Sequence, residues 1–532
     1  MIEDVTLTLF STKAAENIDE KLIRQSVAKK LCCTESDINA LILKKKSLDA
    51  RHGKVKYHLR YRVFTGKDFP ESENNSQFIP SYRVVASENP VIIVGSGPAG
   101  LFAALKLLEQ GVKPIVIERG SSASKRKRSI AEISRSQTLN SDCNYCFGEG
   151  GAGMFSDGKL FTRSTKRGNP NQIYRVLHYF GASKGILTDA HPHIGTDILP
   201  GIIQNITAKI IELGGQVLFD TRCIDFVTDG KTVQGVKIQH LDTNLEEEIK
   251  GLAVILATGH SATDIYKLIS KYSNESLEAK TFAMGVRVEH PRAIIDGIQY
   301  HGRQLREKLP AAEYRLITQV EQRGVYSFCM CPGGLVVPSA TTNDGLVVNG
   351  MSPSSRSTKW SNSAVVVEVR PEDIPQEFIQ GEPAFAGLNF RTYVEEQAKK
   401  NGLEQKAPCQ RLTDFLAQRT SETLPESSYT PGLISSRLDL WLPKHISSRL
   451  KIGFSEFNKQ MKGFITEQAL LIAPETRTST PVRILRNKQT YECLGLKGLY
   501  PAGEGSGYSG GIVSSAIDGE KVAEAILQRI KY

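Results

Sequence analysis

The sequence predicts an α/β protein whose largest domain is a parallel sheet with helices on both faces. From Pro90 onward, short runs rich in valine and isoleucine alternate with helix-length segments, a pattern typical of buried parallel strands. A glycine-rich turn directly follows the first of these runs. The chain has 532 residues, more than one hydrophobic core usually supports, so we expect two or three domains.

The segment before the first glycine-rich turn predicts a small N-terminal α+β domain, residues 1–85. Val5 to Leu9 and Lys54 to Phe64 alternate like strands, and Glu20 to Leu31 has helical spacing. Thr65 to Ser81 is polar and contains glycine, proline and asparagine, which indicates a linker.

The runs that predict the parallel sheet are spread unevenly along the chain: VIIV at 91, PIVIE at 114, AVILATG at 253 and GLYPAGE at 498. Because the last run lies near the C-terminus, the chain must return to the sheet after a long excursion. We therefore predict a nucleotide-binding domain made of residues 86–280 and 488–532, with a second domain, residues 281–487, inserted between them.

The glycine turn carries the strongest functional signal. Strand 91–94 runs into Gly95-Ser96-Gly97-Pro98-Ala99-Gly100 and then into an apolar helix, the order that a dinucleotide-binding turn requires. Gly95 permits the tight turn, Gly97 lets the backbone approach a pyrophosphate, and Gly100 lets the helix pack on the strand. The N-terminus of the helix then presents free N–H groups to the phosphates.

An acidic residue at the end of the second strand completes this unit. Glu118 follows strand Pro114 to Ile117, about twenty residues after the glycines, where a carboxylate can accept hydrogen bonds from an adenosine ribose. An acid at this position disfavours a 2′-phosphate. These residues predict a dinucleotide, but FAD and NAD share the unit.

Three motifs resemble the glutathione-reductase-like flavoproteins. VIIVGSGPAGLFAALKLLEQG with PIVIERG resembles their FAD-binding opening, ATG at 257–259 their second nucleotide-contacting turn, and YPAGE at 500–504 their C-terminal flavin motif. The resemblance implies FAD as cofactor and a glutathione-reductase-like FAD-binding Rossmann domain, with the inserted domain and the N-terminal α+β domain added to it.

A narrower resemblance covers most of the chain. It is carried by FGEGGAGMFSDGKL at 147, HPHIGTD at 191, FAMGVRVEHP at 282, RGVYSFCMCPGG at 323, ETRTSTPVRI at 475 and PAGEGSGYSGGIVSSAIDG at 501. These closely resemble a bacterial family called FAD-dependent dehydrogenases or uncharacterised FAD-dependent oxidoreductases, which brings no established substrate. The cofactor contacts we predict are Gly95, Gly97, Pro98, Ala99, Gly100, Glu118, Arg119, Arg126, Gly150, Gly151, Ala152, Gly153, Cys223, Ala257, Thr258, Gly259, Gly503, Glu504, Gly510, Gly511 and Ile512.

Two of these segments carry specific expectations. Gly148 to Gly153 also fits GxGxxG but follows no apolar strand, so we expect a loop lying against FAD, with a plain flexible turn as the alternative. A helix beginning near Ile512 would direct its N–H groups at the negative charge of reduced flavin. Glu504 occupies the place where related flavoproteins hold a ribityl hydroxyl.

The candidates for catalysis are weakly specified. His260, His191, His193 and His290 can transfer protons near neutral pH. Cys143 and Cys146 form a CxxC pair that can be a redox dithiol or purely structural, and Cys329 with Cys331 is equally ambiguous. Arg477 can bind a substrate carboxylate or form an ordinary surface ion pair. No metal site is expected, since zinc needs more ligands nearby.

Composition limits the function classes. Hydrophobic residues make up 40% and charged residues 23%, as in ordinary globular proteins. The absence of a long apolar run and of a basic-then-apolar start predicts a cytoplasmic protein with no membrane partner. Nine cysteines are too few for a disulfide framework. The net charge of +10 could attract nucleic acid but is more often a solvated surface.

The leading hypothesis is an FAD-dependent oxidoreductase that transfers hydride between flavin N5 and an unidentified small-molecule substrate bound between the FAD and inserted domains. The alternative is an FAD-containing factor that binds or modifies RNA or protein, recruited by the N-terminal domain. Lys125-Arg126-Lys127-Arg128 has no interleaved aromatic residues, so nucleic acid is not the expected partner. The sequence leaves the oligomeric state and the electron donor or acceptor open.

Overall fold

The structure is a computed structural model of the chain. It describes residues 2–10, 20–51, 55–69, 78–86, 88–161, 168–302 and 309–530. Residues 70–77 of the predicted linker lie outside this part of the chain.

An antiparallel sheet of three strands opens the chain. Its strands, in spatial order, are Ile2–Phe10, Lys56–Thr65 and Ile38–Asp49, and helix Glu20–Leu31 contributes Ile23 and Val27 to the same small core. Backbone hydrogen bonds join Lys46 of this sheet to Thr188 and Ala190 of the following region. The backbone of strand Ile38–Asp49, at the edge of this sheet, therefore anchors the N-terminal unit to the main body.

A five-stranded parallel sheet forms the centre of the main body. Its spatial order is Leu499–Pro501, Ala253–Leu256, Val91–Val94, Pro114–Ile117 and Gln216–Leu218. The chain runs outward from Val91–Val94 to one edge and then crosses to the other side of that strand. This reversal of direction creates a crevice outside the carboxyl ends of Val91–Val94 and Ala253–Leu256, where open α/β sheets bind their ligands.

The two faces of the parallel sheet are covered differently. One face packs against helices Pro98–Leu108, Pro170–Tyr179, Leu199–Glu212 and Ile512–Ile530. The other packs mainly against an antiparallel meander of strands Thr221–Asp229, Thr232–His240 and Glu246–Lys250, together with helix Thr263–Tyr272. Helices therefore lie on both faces, and the meander is an additional antiparallel layer on the second face.

A seven-stranded sheet forms a second layer of the molecule. Its spatial order is Ile317–Val320, Arg323–Cys331, Trp360–Val369, Phe282–Pro291, Leu470–Glu475, Ala407–Arg411 and Leu433–Ser435. All neighbours are antiparallel except the last pair. Its core is shared with helices Arg292–Gln299, Ala386–Asn401, Leu412–Leu416, Leu438–Trp441 and Lys444–Gln460.

Three smaller elements complete the described chain. Strand Leu277–Ala279 pairs with Val482–Ile484, so the chain enters and leaves the seven-stranded region on two neighbouring strands. Strands Leu335–Pro338 and Val348–Met351 form a hairpin, and helix Ala123–Ser136 follows the second strand of the parallel sheet. The predicted domain boundaries at 85, 280 and 487 stay predictions. Among the helices of the described residues, none has both the length and the apolar character needed to span a membrane.

Candidate functional site

The glycine turn lies at the crevice and has the geometry of a phosphate-binding turn. Gly95 has φ of +108°, and a Cβ there would overlap the carbonyl of Ala257, so the turn requires glycine. Gly97 precedes helix Pro98–Leu108, whose free N–H groups begin at the crevice. Gly100 packs directly against Gly95, since a Cβ on Gly100 would overlap the Gly95 carbonyl oxygen.

A second glycine loop faces the first. A Cβ built on Gly151 would lie 3.1 Å from the Cα of Gly97, so two segments without side chains lie opposite each other. Gly151 has φ of +62°, and the backbone N–H of the neighbouring Gly150 donates to the carbonyl of Ser96 at 3.1 Å. The two loops are therefore in contact, and their bare backbone lines one part of the cavity, here called the backbone slot.

Glu118 joins the two loops. Its carboxylate is buried and accepts hydrogen bonds from Ser96 N at 3.0 Å, Ser96 Oγ at 2.8 Å, Gly120 N at 2.9 Å and Gly148 N at 2.9 Å. The side chain also lines the cavity. Glu118 therefore positions both glycine segments, in addition to the ribose contact that we predict for it.

Arg126 supports the second loop from behind. Its guanidinium is fully buried and donates to the carbonyl oxygens of Asn144 at 2.9 Å, Tyr145 at 3.0 Å, Gly148 at 3.1 Å, Glu149 at 2.8 Å and Gly151 at 3.0 Å. Burial lowers its pKa to about 10. The structure places Arg126 outside the cavity lining and away from the surface, because five buried carbonyls need donors. It therefore neither faces cofactor phosphates nor extends a basic surface cluster.

The cavity between these loops has a volume of about 440 Å³, within the range of small-ligand sites. Most of the predicted cofactor contacts line it: Gly95, Gly97, Pro98, Ala99, Glu118, Arg119, Gly151, Ala152, Gly153, Cys223, Ala257, Thr258, Gly259, Gly503, Glu504, Gly510, Gly511 and Ile512. Gly100 and Gly150 lie behind the lining. The side chain of Arg119 is paired with Asp264 and stacks on Phe147.

Helix Ile512–Ile530 directs its N-terminus at the cavity. Gly510 to Ser515 all contribute to the lining, so the free N–H groups of the first turn point toward a bound ligand. Gly503 N donates to Asp518 Oδ2 at 2.8 Å, which fixes the preceding turn against the helix. The positive end of a 19-residue helix thus stabilises negative charge inside the cavity.

His260 is the histidine that the structure places in the cavity. Its side chain is largely buried, and its Nδ1 lies 3.6 Å from Glu504 Oε1. Its Nε2 is buried and has no hydrogen-bond partner among the described residues. A buried ring nitrogen without a partner is costly, so this atom is suited to meet a bound ligand.

The other three histidines lie outside the lining. His191 is exposed, with Nδ1 3.2 Å from Glu313 Oε2, and His193 Nε2 lies 3.1 Å from the carbonyl of Ser354. Burial lowers the pKa of His193. His290 is buried in the seven-stranded sheet, and burial lowers its pKa to about 4. These contacts order their own segments; the position of His260 directly after the ATG turn is the sequence signal that separates it from the other three.

Arg477 lines the cavity but is already paired. Its Nε lies 3.1 Å from Glu395 Oε1 and its Nη2 lies 2.8 Å from Glu395 Oε2, while Nη1 donates to Ser261 Oγ at 3.2 Å and Thr341 Oγ1 at 2.8 Å. Both residues are buried. The ion pair is therefore internal, not on the surface, and the bidentate face of the guanidinium is occupied by Glu395 instead of being open to a substrate carboxylate.

Replacing Arg477 by methionine is expected to lower the free energy of unfolding by about 3–5 kcal/mol, because the Glu395 carboxylate would stay buried without its main partner. Urea denaturation followed by circular dichroism measures the change. Lys231→Met is the control, since Lys231 and Glu275 form a 3.0 Å pair with both side chains exposed and exposed pairs contribute about 1 kcal/mol or less. Equal effects of the two substitutions would contradict the prediction.

The cavity also contains residues that the sequence did not single out. Asp157, Lys159, Phe161, Phe328, Asn349, Glu475 and Thr478 line it. Glu475 pairs with Arg287 at 2.9 Å, and burial raises the pKa of Glu475 in spite of this partner. Both glutamate and asparagine come from the seven-stranded region, which only the three-dimensional fold brings to the crevice. In the sequence, Phe328 belongs to the FCMCPGG motif and Glu475 to the ETRTSTP motif. Both motifs carried family resemblance but indicated no chemistry.

The cysteines divide between the cavity and the core. All nine are free thiols. Cys146 lines the cavity with its Sγ 3.5 Å from Ser339 Oγ, whereas Cys143 is buried outside the lining. Cys223 lines the cavity, and burial raises its pKa to about 12. Cys329 lines the cavity as well, with Cys331 buried behind it.

The donors and spaces of this cavity fit FAD. The backbone slot at Gly97 and Gly151 offers bare backbone to a diphosphate, the free N–H groups before Ser515 stabilise negative charge, and His260 lines the same cavity. A parallel sheet with its glycine turn at the switch point, joined to a C-terminal helix aimed at the same crevice, defines the class of FAD-dependent flavoproteins.

Comparison with known families supports this class. Residues 88–141 match a family described as an FAD binding domain, and residues 281–478 match one described as FAD-dependent protein, C-terminal domain-like. Residues 1–64 match a domain of unknown function. An uncharacterized protein of Clostridium beijerinckii (strain ATCC 51743 / NCIMB 8052) is 40% identical over 531 residues, which cover 96% of each chain. The chain belongs to the same family as that Clostridium protein.

Solved flavoproteins are more distant. A flavoprotein/dehydrogenase from Cytophaga hutchinsonii is 12% identical, with 83% of this chain and 79% of that chain covered and a TM-score of 0.38. The glycerol-3-phosphate dehydrogenase from Bacillus halodurans complexed with FAD is 9% identical, with 84% and 66% covered and a TM-score of 0.35.

The family matches confirm the predicted FAD cofactor and the resemblance to FAD-dependent proteins. An FAD-binding α/β fold with a parallel sheet is likewise confirmed. The glutathione-reductase-like subtype stays a prediction.

Proposed function

We propose that the protein is an FAD-dependent oxidoreductase in which hydride passes between flavin N5 and a small molecule held between the parallel sheet and the seven-stranded sheet. The observation that carries the proposal is the shared lining of the cavity. Glycine turns of the parallel sheet form one side, and Phe328, Asn349 and Glu475 of the seven-stranded region form the other. FAD, when bound, supplies the site that accepts or donates hydride.

The residues of the parallel-sheet side would hold the cofactor. Gly97 and Gly151 leave their backbone accessible to the diphosphate, and Glu118 faces the adjoining ribose. The N-terminus of helix Ile512–Ile530 would stabilise negative charge on a reduced ring system. These groups are fixed before any ligand binds, since hydrogen bonds from Ser96 and Gly148 to Glu118 and from Gly503 to Asp518 hold the turns in place.

His260 is the group that we assign to proton handling or hydrogen bonding at the reacting end. Its Nδ1 is near the Glu504 carboxylate at 3.6 Å, an arrangement that supports an Nδ1–H donor. Phe328 of the seven-stranded sheet and Phe161 also line the cavity. No observation in the described residues favours the alternative of an RNA- or protein-modifying factor.

An anaerobic screen tests the proposal. Purified protein with bound FAD is mixed with individual metabolites, and bleaching of the flavin absorbance reports hydride transfer into the cofactor. Chemically reduced protein is screened in parallel for reoxidation. We expect at least one small molecule to change the flavin redox state in single turnover; a protein that binds FAD but exchanges electrons with no small molecule in either direction would contradict the proposal.

Phe328→Ala is expected to weaken binding of such a substrate about tenfold while leaving the FAD content unchanged, because the ring lines the cavity from the seven-stranded side. A tenfold change in affinity corresponds to about 1.4 kcal/mol. The concentration dependence of flavin reduction measures it. Ile317→Ala is the matched control, since Ile317 is an exposed apolar residue of the neighbouring strand outside the lining. A loss of FAD in the Phe328 variant would place that ring against the cofactor instead.

A further inference from the structure

Cys329 and Cys331 occupy an irregular end of strand Arg323–Cys331 at the cavity. The pairing of this strand with Trp360–Val369 shifts register between Phe328 and Cys331, and Cys329 has φ of +44°, in the left-handed region. Such a conformation is strained for a residue with a side chain and is concentrated at functional sites. The irregularity places the two cysteines next to each other, and Cys331 Sγ donates to the carbonyl oxygen of Cys329 at 3.3 Å.

The charges around the pair favour a thiolate. Arg287 is fully buried, with Nη1 3.8 Å from Cys331 Sγ and 3.3 Å from the carbonyl oxygen of Cys329. Lys159 donates a hydrogen bond to the carbonyl of Met330, between the two cysteines. The opposing charge is Asp157, which is paired with Arg356. Arg287 is itself paired with Glu475 at 2.9 Å, so Arg287 and Lys159 act on this segment against two carboxylates, each of which has an arginine partner.

The two thiols are not equivalent. The hydrogen bond from Cys331 lowers the pKa of Cys329, and Arg287 and Lys159 act in the same direction against burial and Asp157. The pKa of Cys331 is raised, because its proton is shared with the neighbouring sulfur and the group is buried. Cys329 is partly exposed and lines the cavity, whereas Cys331 is buried. An accessible thiolate backed by a second thiol is the arrangement of an attacking and a resolving cysteine.

We propose that Cys329 and Cys331 are a redox-active dithiol that reduces a small disulfide entering the cavity, with Cys329 as the attacking and Cys331 as the resolving thiol. The dithiol shares its cavity with the proposed flavin site, but the exchange itself requires no flavin. Cys223, which also lines the cavity, has no thiol partner among the described residues, and burial raises its pKa. It therefore serves as the unreactive comparison.

The exchange proceeds in two steps. The Cys329 thiolate attacks one sulfur of the substrate disulfide, the substrate S–S bond breaks, and one substrate thiolate leaves with the electron pair. Cys329 is then neutral in a mixed disulfide, so the anion that held the proton on Cys331 is gone. Cys331 gives its proton to the departing thiolate and attacks the Cys329 sulfur, which releases the second substrate thiolate. Two electrons pass from the protein thiols to the substrate, and the protein retains a Cys329–Cys331 disulfide.

Oxidised glutathione is the probe that tests the order of the two steps. The full-length protein with its bound FAD is treated with it, and the peptide containing both cysteines is examined by mass spectrometry. We expect the unmodified protein to lose two hydrogens from this peptide, Cys331→Ser to retain one glutathione on Cys329, and Cys329→Ser to retain none. Cys32→Ser, at an exposed thiol outside the cavity lining, should behave as the unmodified protein in this peptide. Absence of the glutathione adduct in folded Cys331→Ser overturns the proposal.

The pH dependence of alkylation supplies a second readout. The rate of reaction of Cys329 with iodoacetamide should have its midpoint below the ordinary thiol pKa of about 8.5, because only the thiolate reacts. Lys159→Gln keeps a donor for the Met330 carbonyl but removes the charge, so it should raise the midpoint and slow alkylation several-fold at pH 7. A midpoint at or above the ordinary value in the unmodified protein contradicts the assignment of Cys329.

The thiol and flavin proposals fail separately. Glutathione exchange in a protein whose flavin exchanges electrons with no small molecule supports the dithiol and overturns the proposed hydride transfer. Flavin reduction by a metabolite in a protein whose Cys329 forms no adduct supports the proposed hydride transfer and overturns the dithiol.

Discussion

Gly97→Ala is expected to weaken FAD binding at least about 100-fold, which corresponds to about 2.7 kcal/mol, while the protein keeps its fold. The nearest atom to a Cβ on Gly97 is the Cα of Gly151, 3.9 Å away, which is an ordinary contact. The residue has φ of −73°, so alanine causes no backbone strain. The methyl group instead enters the slot that we assign to the diphosphate.

Titration of flavin-free protein with FAD, followed by flavin fluorescence, measures this effect, and thermal unfolding shows whether the fold is retained. Gly201→Ala provides the matched control, because Gly201 lies in helix Leu199–Glu212 with open space around its Cα. That substitution should leave FAD affinity unchanged. If Gly97→Ala binds FAD as tightly as the control does, the backbone slot at Gly97 and Gly151 is not the diphosphate site.

Arg126→Met is expected to lower the free energy of unfolding by about 3–5 kcal/mol and to reduce FAD occupancy at the same time. The substitution removes the donors of five buried carbonyl oxygens, and each carbonyl left without a partner carries a desolvation cost. Because three of these carbonyls belong to the Gly148–Gly151 segment, the loop should lose its position even where the remainder of the chain stays folded.

Denaturant unfolding and the absorbance ratio of flavin to protein measure the two effects. Arg128→Met is the control: Arg128 is exposed on the same helix, so its substitution should change stability by about 0.5 kcal/mol or less. Arg126→Lys keeps the charge but not the planar set of donors, and we expect it to recover only part of the loss. A fully stable Arg126→Met protein would show that the loop carbonyls find other partners.

The features that the sequence predicted well are those fixed by local physics. Four strands of the parallel sheet were evident from their apolar runs, and the turn at Gly95 from the order of strand, glycines and helix. The fifth strand, Gln216–Leu218, is three residues long and begins with an exposed glutamine, so it lacks an apolar run. The meander was missed for another reason, since its strands alternate with polar residues and only Asp229-Gly230 marked a tight turn.

Partners of charged residues could not be predicted because they come from distant parts of the chain. Arg477 meets Glu395 across 82 residues, and Arg287 meets Glu475 across 188. A run of four cations around Arg126 looked uniform in the sequence, yet one of them points inward and the other three are exposed. The remaining signal in the sequence was the helical spacing of this basic segment. That spacing does not show which carbonyl oxygens the buried Arg126 contacts.

The pairing of Leu277–Ala279 with Val482–Ile484 has an evolutionary consequence. Since the two junctions of the seven-stranded region are adjacent antiparallel strands, the intervening 202 positions leave and rejoin the nucleotide-binding scaffold at a single point. Exchange of genetic material at that point can replace the whole substrate-facing layer without disturbing the cofactor scaffold. Substrate specificity can therefore change in such a lineage while binding of the cofactor is retained.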